Sequence, residues 1–183
     1  MRELTQTVFA DATSGRYGNC WQTCIACLLD IDPGVMPPQE EYDWCRTEPD
    51  GETVLGPGYL NVLQDYLRVH HDLGYVGTMH LPVELFPLLR VADPGWHLMS
   101  GRTVRSEACG GLRHVVVGRY GQMVWDPHPS RAGLVEDIHW AFLVPYPRAW
   151  RRPVERPCVC PSCAAGRVPG RSGFPEPTGI RTP

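Results

Sequence analysis

Residues 113–129, RHVVVGRYGQMVWDPHP, constrain this chain more than any other stretch. Two apolar runs flank Arg119-Tyr120-Gly121, and an Asp-Pro pair closes the second run, which is the pattern of an antiparallel hairpin. A hairpin commits the chain to sheet whose register depends on the length of the loop. A three-residue loop, Arg119-Tyr120-Gly121, places Gly121 where a left-handed residue is required. A two-residue Tyr-Gly loop is the alternative, without the Asn-Gly or Gly-first pattern such loops prefer. With the three-residue loop Gly118 pairs with Gln122, Val116 with Val124, and His114 sits opposite Asp126, their Cβ atoms about 4.5–5.5 Å apart. Val115, Val117, Met123 and Trp125 then make the opposite, core face. A change of one residue in the loop would turn Asp126 away from His114. The plainer alternative is that Asp126 only opens the Asp-Pro-His-Pro turn and that His114 is a structural strand histidine.

The second strong signal is GNCWQTCIACLL at 18–29. Trp21, Cys24, Ile25, Leu28 and Leu29 recur at i, i+3, i+4, i+7 and i+8, which predicts an amphipathic helix from about 20 to 30. Asn19 is its expected N-cap, and Pro33-Gly34 lies beyond its end. An acidic, irregular stretch follows to about Pro57. YLNVLQDYLRVH (59–70) predicts a second helix with Leu60, Leu63 and Leu67 on one face, and LPVELFPLLR (81–90) a short third one interrupted by Pro87. GWHLMSGR and DIHWAFLVPY read as further strands. Helices first and antiparallel strands afterwards predict an α+β fold with helix packed on sheet.

Composition fits this reading. With 183 residues, 43% apolar and 20% charged, the chain has room for one core and a modest extension. From Pro145 on, nine of the 39 residues are proline and arginines are frequent. Two segments are therefore expected: a folded domain over 1–147 and a flexible Pro/Arg-rich tail over 148–183. The net charge of −3 favours no partner class, and all 17 basic residues are arginine, which excludes Schiff-base or other lysine chemistry. The N-terminus lacks an apolar signal core, and no apolar run approaches membrane-spanning length. The expectation is a cytoplasmic protein whose eight cysteines stay reduced.

A reduced cysteine at a helix start is chemically poised. The helix N-terminus and an adjacent imidazolium both favour the thiolate, a carboxylate on the far imidazole nitrogen fixes the ring, and backbone N–H groups at the helix start can receive an oxyanion. Cys20, His114 and Asp126 supply these parts as nucleophile, general base and then acid, and orienting carboxylate.

A Gly-Asn-Cys entering a helix, a distant His heading a strand and an Asp after it resemble the papain-like cysteine peptidase superfamily. The likeness is to its compact bacterial branch, which includes the peptidase domains of bacteriocin-exporting transporters and related phage proteins. The resemblance rests on GNCWQTCIACLL, RHVVVGRYGQMVWDPHPSRAGL and, weakly, QTVF at 6–9. It implies a helical part bearing Cys20 packed against an antiparallel sheet bearing His114 and Asp126. It also implies an oxyanion-hole glutamine a few residues before the cysteine. Here Ser14 stands six residues before Cys20, and the nearest upstream glutamine is Gln6, fourteen before. Gln6 and Asn19 are the oxyanion-hole candidates, Gln6 only if the loop ADATSGRYG brings it round.

Two function classes stay open: a peptidase or amidase cutting an amide or isopeptide bond through a cysteinyl thioester, and a silent papain-fold protein that binds a peptide or protein partner. No cofactor is expected, and no membrane partner. Cys24 and Cys27 share a helical face with Cys20 but read as core residues rather than as metal ligands. Cys158, Cys160 and Cys163 in the tail are one ligand short of a structural zinc site, and Cys45, Cys109, a histidine or another chain would have to complete it. The tail's seven arginines against two acids lack the aromatic interleaving of a nucleic-acid module. His128 either orients His114 or a substrate or belongs to the turn. His70-His71 end a helix, and His97 and His139 read as core or edge residues.

Overall fold

The structure is a computed structural model and describes residues 1–11, 13–79, 95–106, 111–146 and 161. The expected third helix at 81–90, Cys109 and the tail cysteines lie outside the described residues. The fold is α+β: two helices, α1 (Cys20–Leu29) and α2 (Tyr59–His71), stand beside antiparallel sheet. β1 (Cys45–Thr47) and β2 (Thr53–Leu55) form a small hairpin inside the stretch expected to be irregular. The main sheet contains β3 (Leu73–Met79), β4 (Trp96–Arg102), β5 (His114–Arg119), β6 (Gln122–Trp125) and β7 (Glu136–Pro145), in the order β3-β7-β4-β5-β6.

α1 begins and ends within a residue of its predicted limits. Asp30, in the left-handed conformation, ends it by donating its N–H to Ala26 O, a stop that aspartate tolerates better than most residues. The helix is buried on more than one stripe: Cys20, Gln22, Thr23, Cys24, Ile25, Ala26 and Cys27 are all buried. Trp21, Leu28 and Leu29 pack at the margin of the core. The Cys24 thiol donates to Val115 O at 3.3 Å, tying α1 to the centre of β5. Burial pushes the Cys24 thiol well up, and it raises Cys27 as well. Cys20, Cys24, Cys27 and Cys45 are all free thiols.

α2 buries Tyr59, Leu63, Tyr66 and Leu67. Leu60, expected on that face, is exposed. Val115, Val116 and Val117 are fully buried, so β5 is covered on both faces, whereas Met123 on β6 is exposed and not part of the core.

The β5–β6 hairpin departs from the expected register. The turn is the two-residue Tyr120-Gly121, with Arg119 opposite Gln122 and Gly118 opposite Met123. Tyr120 and Gly121 have φ of 48° and 80°, the paired positive values of a type I′ turn. One step further the register shifts again, so that Val117 faces Trp125. Each one-residue change would reverse which side Asp126 faces. Together they cancel, and Asp126 returns to the side of His114. No helix among the described residues is long and apolar enough to cross a membrane.

Candidate active site

α1 packs against β5, which brings the helix start beside the first residue of that strand. Cys20, His114 and Asp126 are 7%, 8% and 2% exposed. The Nε2 atom of His114 donates to Asp126 Oδ1 at 2.7 Å. Cys20 lies near enough to the same ring to help raise its pKa, and both residues line one cavity. The fold thus brings sulfur, imidazole and carboxylate together.

Asp126 is held from three sides. Its Oδ1 also accepts the His128 N–H at 2.8 Å, and its Oδ2 accepts the Gly133 N–H at 2.9 Å. Arg131 donates to the Asp126 carbonyl and lies over the Trp125 ring at 3.8 Å. Burial opposes the carboxylate charge, but the bonds from the His114 ring and from the Gly133 and His128 N–H groups outweigh it and hold Asp126 at about 2. Burial likewise opposes a charged His114, and its bonds to Asp126 and Cys20, with their charges, push it up to about 9. His114 is therefore an imidazolium at neutral pH.

These shifts predict a pH signature. A depressed acid stabilises the fold above its unfolded pKa near 4 and loses that contribution as pH falls through about 2. A raised histidine contributes fully below about 6.5 and loses its contribution as pH rises through about 9. The gap in unfolding free energy between wild type and Asp126→Asn is therefore widest from about pH 4 to 6.5 and narrows towards pH 10. Urea unfolding across this range measures it, and equal gaps at pH 5 and pH 10 would contradict the assignment.

A cavity of about 540 Å³ opens over these residues. Its wall includes Cys20, His114, Trp21, Tyr75 and Trp140, with Arg105 and His128 on the strand side. Trp21 and Tyr75 meet edge to face with centroids 5.4 Å apart, making one wall a rigid aromatic corner.

The loop of residues 10–18 does bring Gln6 back. Gln6 is 5% exposed and lines the cavity with Cys20. Its Nε2 donates to Val8 O at 3.2 Å, while its buried Oε1 has no partner among the described residues. Asn19 has another role from either one expected. It has no side-chain cap bond and does not line the cavity. Its Oδ1 accepts the Val8 N–H at 3.1 Å and its Nδ2 donates to Thr7 Oγ1 at 3.3 Å, fastening the N-terminal segment to the helix start.

The cap comes instead from Gln39, which the sequence did not mark. Gln39 is 2% exposed, and its Oε1 accepts the N–H groups of Trp21 at 3.0 Å and Gln22 at 3.3 Å. His128 contributes its backbone to Asp126, while its ring stands 6.1 Å from that of His114, at right angles. His97 is fully buried in the sheet, where burial drives it down to about 4. His139, expected in the core or at an edge, lines the cavity. Among the described residues no group of three His, Cys, Asp or Glu side chains is placed to hold a metal ion. No protein-family model matches the chain, and neither the curated proteins nor the solved structures contain a match to it.

Proposed function

We propose that the protein is a papain-like thiol hydrolase, a peptidase or amidase that cleaves an amide or isopeptide bond through a cysteinyl thioester. One observation carries the reading: the His114 ring bonds the buried Asp126 carboxylate at 2.7 Å and shares one cavity with Cys20, which helps to raise its pKa. Cys20 stands at the N-terminus of a helix, where the macrodipole favours a thiolate.

In this mechanism the Cys20 thiolate attacks the carbonyl carbon of a bound amide, and its oxygen becomes an oxyanion. The Cys20 N–H, with Gln6 nearby, stabilises that charge. The His114 imidazolium gives its Nδ1 proton to the departing nitrogen, which leaves as an amine, and a thioester remains on Cys20. Neutral His114 then takes a proton from water, whose oxygen attacks the thioester. The acid product departs and the thiol is regenerated. Asp126 stays ionised throughout and holds the ring in the tautomer that keeps Nδ1 towards sulfur.

Alkylation with iodoacetamide at pH 6, followed by peptide mapping, tests the first requirement. An activated thiolate at Cys20 reacts there at least about tenfold faster than an ordinary thiol, whose pKa is near 8.5. Asp126→Asn is expected to erase most of that advantage. Uniformly slow labelling at Cys20 would leave the alternative of a binding protein without turnover.

A further inference from the structure

The N-terminus of α1 admits a full account of its donors. A helix start leaves four backbone N–H groups without intrahelical acceptors, here those of Asn19, Cys20, Trp21 and Gln22. The Asn19 N–H reaches Val8 O at 3.1 Å. Those of Trp21 and Gln22 share Gln39 Oε1. Thr23 already donates to Asn19 O at 3.0 Å, as the first regular helical bond. Of these four donors, only the Cys20 N–H has no acceptor among the described residues.

Gln39 is itself fixed. Its Nε2 donates to Asp43 Oδ2 at 3.0 Å, and Asp43 Oδ1 accepts the Tyr59 N–H at the start of α2, at 2.7 Å. Asp43 thus sets which end of the Gln39 amide faces α1, and it links the two helix starts. Gln39 and Asp43 both line the cavity beside Cys20.

We infer that Gln39, oriented by Asp43, is a positioning residue that fills the neighbouring donors and reserves the Cys20 N–H for an anionic oxygen on the bound acyl group. This deepens the thiol-hydrolase reading and rests on it. The relay's polarity can be reversed without losing a bond. In Asp43→Asn two amide N–H groups confront each other, or the Gln39 amide flips and turns its nitrogen towards Trp21 and Gln22. In the double variant Gln39→Glu/Asp43→Asn, one Glu oxygen accepts from Trp21 and Gln22 and the other from the new amide, while that amide's oxygen still accepts from Tyr59. The negative charge moves from position 43 to position 39.

Two probes of Cys20 separate positioning from general damage. In alkylation by iodoacetamide a C–S bond forms as iodide leaves, and no carbonyl oxyanion develops. In acylation by p-nitrophenyl acetate the thiolate adds to the carbonyl, an oxyanion develops, and p-nitrophenolate leaves. The ratio of acylation to alkylation rate at Cys20, read by peptide mapping, is expected to fall about tenfold in Asp43→Asn, below the effect of removing a donor outright. The double variant is expected to regain the ratio and the wild-type Tm. An unchanged ratio in Asp43→Asn would overturn the inference, as would a double variant that regains neither ratio nor Tm. A wild-type Cys20 inert to both probes would instead remove the hydrolase reading, and this assignment with it.

Discussion

A Cys20→Ala protein is expected to fold and to lose turnover altogether. In the proposed mechanism the thiol receives the acyl group, and the next cysteine on the helix does not replace it: Cys24 is fully buried with its thiol turned to Val115 O. His114→Ala should lose nearly as much, since it removes both the proton donor for the leaving nitrogen and the charge that sustains the thiolate. Members of such a unit each carry most of the effect, and each single loss is about 10⁴-fold or more in kcat. The two variants differ in stability. Cys20→Ala removes a small side chain, whereas His114→Ala leaves the buried Asp126 carboxylate with backbone donors alone, at a cost of about 1–3 kcal/mol. Hydrolysis of an electrophilic amide substrate, with urea unfolding of each variant alongside, reads both. More than about 1% residual activity in Cys20→Ala would end the mechanism.

The largest effect on stability is expected at Gly15. Its φ is +66°, and a Cβ built there would lie 1.6 Å from the carbonyl oxygen of Cys45. That contact is backbone on β1, which cannot swing aside as a side chain would. The same close approach carries a bond from the Cys45 N–H to Gly15 O at 2.9 Å. Gly15→Ala must therefore push the loop off β1 as well as strain its own backbone, and a loss of about 3–5 kcal/mol is expected. Gly51 is the control. Its φ is +85° with open space around it, so Gly51→Ala costs only conformational strain, about 1 kcal/mol. Thermal unfolding should show Gly15→Ala melting roughly 10 °C lower and Gly51→Ala only a few degrees lower. Equal drops would contradict the packing described. Gly15→Ala should also slow Cys20 acylation, because the loop it anchors carries the chain from Gln6 to the helix start.

What the sequence disclosed and what it hid follow from the range of each interaction. α1 was legible because its periodicity, its Gly-Asn entry and its exit before Pro33-Gly34 are all local. The His114–Asp126 contact was legible for a less secure reason. The expected three-residue loop is a two-residue turn, and the added register shift beyond Gly118 restores the side that the shorter turn would have reversed. Parity carried the expectation through, although the register was wrong. Asn19 occupies the N-cap position as expected, but the side chain of distant Gln39 takes the helix donors, and that of Asn19 fastens Thr7 and Val8 instead. Gln39 belongs to a stretch with no helical or strand period, and a side chain that caps a helix from outside leaves no mark on that helix's own sequence. β3 was missed because Gly74 and Gly77 dilute its strand pattern, and the sheet accepts them through its pairing with β7.

The strand order has a temporal side. Among the described residues β3 finds its sheet partner only in β7, with Leu73 opposite Pro145 and Met79 opposite His139. α1, α2 and the β5–β6 hairpin therefore all precede in the chain the strand that unites β3 with β4. Contacts this distant in the chain form late and slowly. The wall supplied by His139, Trp140 and Ala141 arrives with that same strand, so a growing chain that has just acquired Asp126 carries its sulfur, imidazole and carboxylate but not yet the groove around them.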